Sequence, residues 1–527
     1  MASSGATGVA ANNRIPAVFL SIAFGASQNG AGGGPLKCLL LGFKMSTGSG
    51  IADTTIYHCV NGLSDAQTFA GLDSMAYLMA QAAYTMAPAV DLYLGFPAEP
   101  ILSGAKATCI INVGTVASTP ATASGNVTVT IGGVPVTVGI ASGQQAGTAV
   151  AGNPSIATAI ANAINSSVNN LCVTAAAGLS STQPIVTITF NHNGSLGNQV
   201  PVSVVAATTL GLTIALSGTA ALTGGSGVES LSAILGVAAA SEYDIVFACS
   251  QDSTNLGLLK TYLDTQYTAT VGLPGQGIVC FNGSAASNTA TNLSSAVALM
   301  SAINDPVVQV VFSNLPTTAF TLGAGWAAQR SVLEGADPTT VETLFNPAAT
   351  DLSAISAAPS ASSLYLTTTQ IITCLNTGLT PIMTTSAGDN LIVRSITSHY
   401  QDASSNPDAR TLDTIQVSVP FAFAKLIQSD FPQSFGKSTL VDNPAPGADK
   451  LPPGTVYPQF IQVHYHVIAN GLAKQARPWI TNVDADYANW VFNLDPTVPG
   501  RVDATMPITP VQWVVQFSAA IQQLTLL

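Results

Sequence analysis

The residues best placed to do chemistry are few. His464-Tyr-His466 sets two imidazoles two positions apart, and Asp484-Ala-Asp486 does the same with two carboxylates. Such pairs hold a transition metal or a hard cation when a third ligand converges on them. "FIQVHYHVIANG" alternates like a strand, where i and i+2 share a face, and no third ligand is spaced to join. Both pairs therefore read as structural, the aspartates in a solvated turn. The glycine runs "GAGGG" (30–34) and "GLPGQG" (272–277) lack the spacing and lysine of a phosphate loop. "HNGSLGN" (192–198) reads as a turn with a glycine at positive φ. Asn126-Val-Thr and Asn193-Gly-Ser match the glycosylation pattern, which means little without a leader peptide. Nothing assembles a nucleophile, a base and an oxyanion stabiliser. The expectation is no enzyme, no cofactor and no metal.

Seven cysteines are scattered at Cys38, Cys59, Cys109, Cys172, Cys249, Cys280 and Cys374. None forms CxxC and the count is odd, so no metal site or closed intrachain framework is indicated. They read as buried free thiols or, for a protein that meets an oxidising medium, as sources of an inter-subunit disulfide.

The 527 residues suggest about three or four domains. Only 8% are charged, where a soluble globular chain has about 25%. Between Lys106 and Glu229 lie 122 residues without Asp, Glu, Lys or Arg. That suits an assembly subunit better than a dispersed enzyme, because charge is the usual defence against association. The net charge is −12 with no basic run, which excludes direct nucleic-acid binding. The most apolar windows, 77–97 and 231–250, are broken by Asp91 and by Glu242 and Asp244, so no membrane insertion is expected. The N-terminal stretch shows no secretory leader pattern, which reads as an unexported chain.

Residues 1–24 read as an arm whose Val18, Leu20, Ile22 and Phe24 alternate at strand period. A Gly-rich linker follows at 25–35. Residues 36–103 and 229–385 alternate strand and helix, a discontinuous α/β middle domain. "SDAQTFAGLDSMAYLMAQAAYTM" reads there as a helix opening on Ser64 and Asp65. Residues 104–228 form an inserted small β-rich domain. In it "NVTVTI-GG-VPVTVGI" is a hairpin turning at Gly132-Gly133, and Ile156, Ile160, Ile164 and Val168 form a helix stripe. Residues 386–508 form a C-terminal α+β domain, with "DNLIVRSITSHY" and "FIQVHYHVIANG" as antiparallel strands and a helix near Pro420. Residues 509–527 read as a second arm, with Val511, Trp513, Val515 and Phe517 alternating. The fold class is α/β and α+β multidomain, with extended strand-forming arms at both ends.

The order of these pieces resembles the contractile tail sheath proteins of bacteriophages, most closely the Mu-like group. The resemblance runs through "IPAVFLSI" (15–22), "PLKCLLLGF" (35–43), "DAQTFAGLDSMAYLMAQAAYTMAP", "IGGVPVTVGI", "IATAIANAIN" and "VTITFNHNGSLGNQV". It is most specific in "GDNLIVRSITSHYQDASSNPDARTLDTIQV" (388–417) and "DFPQSFGKSTLVDN" (430–443), an arginine-bearing strand and then a D-x4-D segment entering a helix. His192 departs from it, standing where the family often has a basic residue.

The resemblance implies a viral structural subunit of the virion tail, assembled in the host cytoplasm. It forms stacked hexameric rings, a helical tube around the tail tube. The sheath contracts on a baseplate trigger, driving the tube through the host envelope for genome ejection. The implied partners are further copies of the chain, the tail tube protein, and baseplate and tail terminator proteins. Each terminal arm would add to a neighbour's sheet by β-augmentation. The alternative is an exported surface-layer or adhesin-like β-rich protein, opposed by the α/β core and the missing leader.

Overall fold

The computed structural model describes residues 36–100, 104–149, 153–166, 170–283, 289–445 and 451–516. Val18, Leu20, Ile22 and Phe24 of the first arm, and Phe517 of the second, lie outside the described residues.

The chain opens with β1 (Lys37–Leu41), β2 (Ile56–His58), α1 (Leu63–Ala70), α2 (Met75–Met86) and β3 (Asp91–Gly95). The uncharged block then supplies β4 (Lys106–Val113), β5 (Gly125–Ile131), β6 (Val134–Ile140), α3 (Ile156–Asn165), β7 (Val173–Ser180), β8 (Gln183–Asn193), β9 (Val202–Ala206) and β10 (Ile214–Leu216). Alternation resumes with α4 (Ser232–Ala238), β11 (Ile245–Ala248), α5 (Ser253–Gln266), β12 (Gln276–Asn282), α6 (Thr289–Ile303) and β13 (Val308–Ser313). There follow α7 (Ala319–Ala336), α8 (Pro347–Thr350), α9 (Thr368–Asn376), β14 (Leu379–Thr384) and β15 (Asn390–Ile392). The C-terminal part is built on α10 (Ile415–Phe435), α11 (Pro458–Lys474) and α12 (Val483–Tyr487), with two- to four-residue strand pairs between them.

One eight-stranded sheet takes strands from both sides of the uncharged block, in the order β15-β14-β13-β12-β11-β1-β3-β2. The inner six are parallel, and β2 and β15 pair antiparallel at the edges. A parallel sheet is covered on both faces, so its strands are apolar runs rather than alternations. Every residue of β11 and β13 is accordingly buried. Side chains still alternate between two cores. Cys38 and Leu40 meet α2 and α7 on one face, and Leu39 and Leu41 meet α4, α5 and α6 on the other. Helix α7 is almost wholly buried, and Gly323 lets its backbone lie against Phe247 and Cys280, where a Cβ has no room.

The uncharged block folds as a three-stranded sheet β6-β5-β9 and a four-stranded sheet β10-β4-β8-β7, with α3 packed between. The hairpin register runs from Gly125↔Ile140 to Ile131↔Val134, leaving Gly132 (φ 57°) and Gly133 (φ 88°) as the two-residue turn. Val127, Val129 and Ile131 are buried, while Thr128 and Thr137 meet across the strands on the open face at 3.0 Å. Ile156, Ile160 and Ile164 form the buried stripe of α3; Val168 is outside the described residues.

Two strand and helix expectations need correction. "FIQVHYHVIANG" is not a strand but part of the seventeen-residue helix α11. It is apolar on two sides: Ile461, Tyr465 and Ala469 are buried while Phe460, Val463 and Val467 are exposed, so both periodicities are present. Pro458 at the first helical turn was the deciding signal. The helix expected from Ser64 is two helices. α1 starts after Gly62, and positive φ at Gly71 and Asp73 breaks the chain before Ser74 recaps it, its Oγ accepting from Tyr77 N. In the C-terminal arm, ladder pairing covers only Thr509–Pro510, against Ile480–Thr481. Residues 511–516 belong to no ladder among the described residues.

Candidate functional site

The candidate catalytic and metal residues do not converge. Because α11 is a helix, His464 and His466 point apart. His464 Nε2 meets Asp430 Oδ2 at 2.9 Å, and His466 Nε2 meets Asp484 Oδ1 at 3.2 Å while its ring stacks on Tyr487. Asp484 and Asp486 lie in the short helix α12 rather than a turn, and Asp486 is pushed up by burial. No group of three or more His, Cys, Asp or Glu able to hold a metal occurs among the described residues. Nor is any described helix long and apolar enough to cross a membrane. The run "GLPGQG" turns at Gly272 (φ 68°) and delivers Gln276 into the core.

All seven cysteines are buried and unbridged. Burial pushes every thiol up, Cys59 and Cys374 to about 12, which disfavours the thiolate that disulfide exchange requires.

At the carboxyl ends of β11 and β12, beside the point where the strand order reverses, a doubly wound sheet usually offers its ligand crevice. Here the loops of the uncharged block roof that position. A crevice of about 570 Å³ remains, lined by Gln199, Ala221, Glu229, Gln251 and Asn282, with no Lys or Arg among the described residues that line it.

The segments that matter most are therefore those that join parts. His192 is fully buried on β8. Its Nδ1 faces Glu99 Oε1 at 2.6 Å and its Nε2 accepts from Met75 N at 3.1 Å. The second contact fixes the tautomer: Nδ1 carries the hydrogen and donates to Glu99. Despite burial, the bonds from His192 and Asn193 N hold the Glu99 carboxyl below its usual range. This residue, noted in the sequence only as a departure, ties the uncharged block to the start of α2. The adjoining Gly194 has φ 118°, the expected left-handed turn position. The hairpin tip makes a second contact, with Gly133 set against Thr317 beside a cleft of about 420 Å³.

Between β15 and α10, Arg394 clamps Asp413 bidentately, at 2.6 and 2.8 Å. Asp408 is drawn down to about 2, chiefly by its hydrogen bonds from Arg410. The D-x4-D spacing thus serves two arginines, one at each aspartate.

Deeper in, Arg330 of α7 is completely buried. It donates to Glu334 Oε1 (2.5 Å), Gln309 Oε1 (3.2 Å), Gln276 Oε1 (2.7 Å) and Ser418 Oγ (3.3 Å). Its Nε lies 3.4 Å from Glu342 Oε2, which accepts from Thr414 Oγ1 at 3.2 Å. One network thereby joins α7, the sheet and the first turns of α10. Lys425, two turns further along α10, reaches Glu242 at 2.7 Å and Asp244 at the start of β11.

In the second arm, Trp513 is buried against Ile415 and Val419 of α10, with Val511 and Val515 half-buried beside it and Gln512, Val514 and Gln516 exposed. Alternate side chains thus pack on the chain's own core. The main chain of 511–516 makes one hydrogen bond within the described residues, Val511 N to Trp479 O.

The class defined is a doubly wound α/β layer, interrupted by a β-rich domain and continued into an α+β unit, without a convergent catalytic set among the described residues. No family model and no curated sequence matches the chain. Among solved structures it is similar to the sheath tail protein of Listeria innocua, at 12% identity and TM-score 0.46, over 93% of this chain and 94% of that one. It is similar too to a chain of the anti-feeding prophage baseplate, at 12% identity and TM-score 0.34, over 54% and 69%. A flagellar cap protein of Escherichia coli aligns over 24% and 44%, at 19% identity and TM-score 0.16.

Proposed function

We propose that the chain is a structural subunit of a contractile phage tail sheath. Copies stack as hexameric rings into a helical tube around the tail tube, bounded by baseplate and terminator proteins, and contraction drives the tube through the host envelope. The observation that carries this reading is the segment 388–443, the most specific part of the resemblance. It forms an interlocked unit in which Arg394 holds Asp413 and the chain enters α10. Such a unit transmits force from the α/β layer to the C-terminal part without a hinge of free loop.

The arms supply the links between copies. Segment 511–516 lies outside any described ladder, is anchored by alternate side chains, and would offer main-chain donors and acceptors to a neighbouring sheet. Head-to-tail contacts of this kind generate an open helix rather than a closed dimer. Energy for contraction comes from repacking of subunits, with no nucleotide required.

Negative-stain microscopy of the purified chain tests the reading directly. Tubes are expected from the full chain, and dispersed folded monomers from a chain lacking residues 1–24. Tubes of normal appearance from the truncated chain would refute the arm linkage. A full chain that forms only flat lattices favours a surface-layer role instead.

A further inference from the structure

The cluster around Arg330 has an unbalanced charge count. One guanidinium faces two carboxylates, and Arg330, Glu334 and Glu342 are exposed by only 0, 7 and 1%. Among the described residues, the other groups hydrogen-bonded in the cluster are neutral: Gln276, Gln309 and Thr380 from the sheet, Trp326 from α7, Ser395 from the segment after β15, and Thr414 and Ser418 from α10. Formal charges on the adjoining elements are already matched, including Asp337 at the end of α7, which is paired with Arg477. Arg394 is taken by Asp413, and Lys425 by Glu242 and Asp244.

With both glutamates ionised, the cluster holds a net negative charge in a dry interior, an expensive state. A single bound proton removes it. The geometry shows which carboxylate takes the proton. Glu334 receives Arg330 Nε at 2.5 Å, whereas Glu342 sits 3.4 Å away and its Oε1 has no hydrogen-bond partner among the described residues. Ser395 Oγ and Thr414 Oγ1, which bond each other at 3.0 Å, stand beside it.

We propose that Glu342 is a pH-sensitive latch: protonated, it lets α10 close on the α/β layer, and ionised, it loosens that junction. Burial, reinforced by the charge of Glu334 and partly offset by Arg330, pushes Glu342 up to about 8 from 4.5. Between those two values the folded chain binds a proton that the unfolded chain has released. The stabilisation is therefore complete below about pH 4.5 and is lost as pH rises through about 8. The latch lies within one chain and stands whether or not copies assemble.

Hydrogen-exchange mass spectrometry on the full chain at pH 6.5 and 9.5, corrected for intrinsic exchange, tests it. In the wild type, peptides covering 395–419 are expected to lose about tenfold in protection at the higher pH, relative to peptides of the β5–β6 hairpin. Glu342→Gln, a permanent mimic of the protonated acid, is expected to keep its protection at both. Equal behaviour of the two chains, or constant wild-type protection, would overturn the proposal. Infrared difference spectra of the wild type alone give a second reading if the variant does not fold. A protonated carboxylic acid band present at pH 7 and absent at pH 9.5 supports the latch, and its absence at pH 7 refutes it.

Discussion

At the scale of single residues, His192 and the cysteines show how position redefines chemistry. Replacing His192 by Ala leaves Glu99 and Met75 N without their partner in a buried site. The expected cost is about 3 kcal/mol, read as a lowered urea midpoint. The same change has no effect expected on the Arg394–Asp413 pair, which sits on another element. The thiols supply a reagent test. In the native chain at pH 8, none of the seven should react rapidly with a disulfide reagent, and all should in urea. Non-reducing gels should show monomers; a ladder of covalent oligomers would mean that assembly exposes a cysteine. Buried free thiols were one of the two readings of the cysteines, but the role of His192 was not legible from residue type. A lone histidine in "FNHNGSLGN" has no pattern, because both its partners are about a hundred positions away in the chain.

At the scale of elements, the hairpin and α11 make opposite points. The Gly132-Gly133 turn was readable because a two-residue turn between alternating strands demands positive φ, a local requirement. Gly133→Val is expected to cost about 1–3 kcal/mol, since it adds left-handed strain to a Cβ set 2.7 Å from Thr317 Oγ1. Thermal unfolding measures it; an unchanged midpoint would show that the tip can move away. Helix α11 was misread because an apolar residue on both faces satisfies period 2 and period 3.6 together. Its outer ridge of Phe460, Val463 and Val467 explains that sequence only if another surface covers it. Changing all three to Ser should leave the folded monomer within about 0.5 kcal/mol per site, as exposed positions do, while reducing tube formation. Loss of the monomer fold instead would place the ridge in the chain's own core.

At the scale of the whole molecule, the uncharged block is the clearest case of composition acting through architecture. Residues 107–228 bring no charge to a chain of net −12. Were copies to approach through this domain, they would meet no like-charge repulsion, with hydroxyls such as those of Thr128 and Thr137 to keep its surface wetted. Setting lysines on the Thr face should slow assembly at low salt and recover at high salt, with light scattering as the readout. An unchanged rate at both would remove the idea. The sequence by itself determined the alternation of strand and helix, the interruption of one layer by a β-rich block and the hairpin turn. These depend on local periodicity and composition, which neighbours in the chain carry. Only the tertiary structure decided that α11 is a helix, that His192 fastens two parts together, and that Arg330 is shared by two buried glutamates. Those outcomes depend on which groups are left to satisfy one another once the layers close and water is gone.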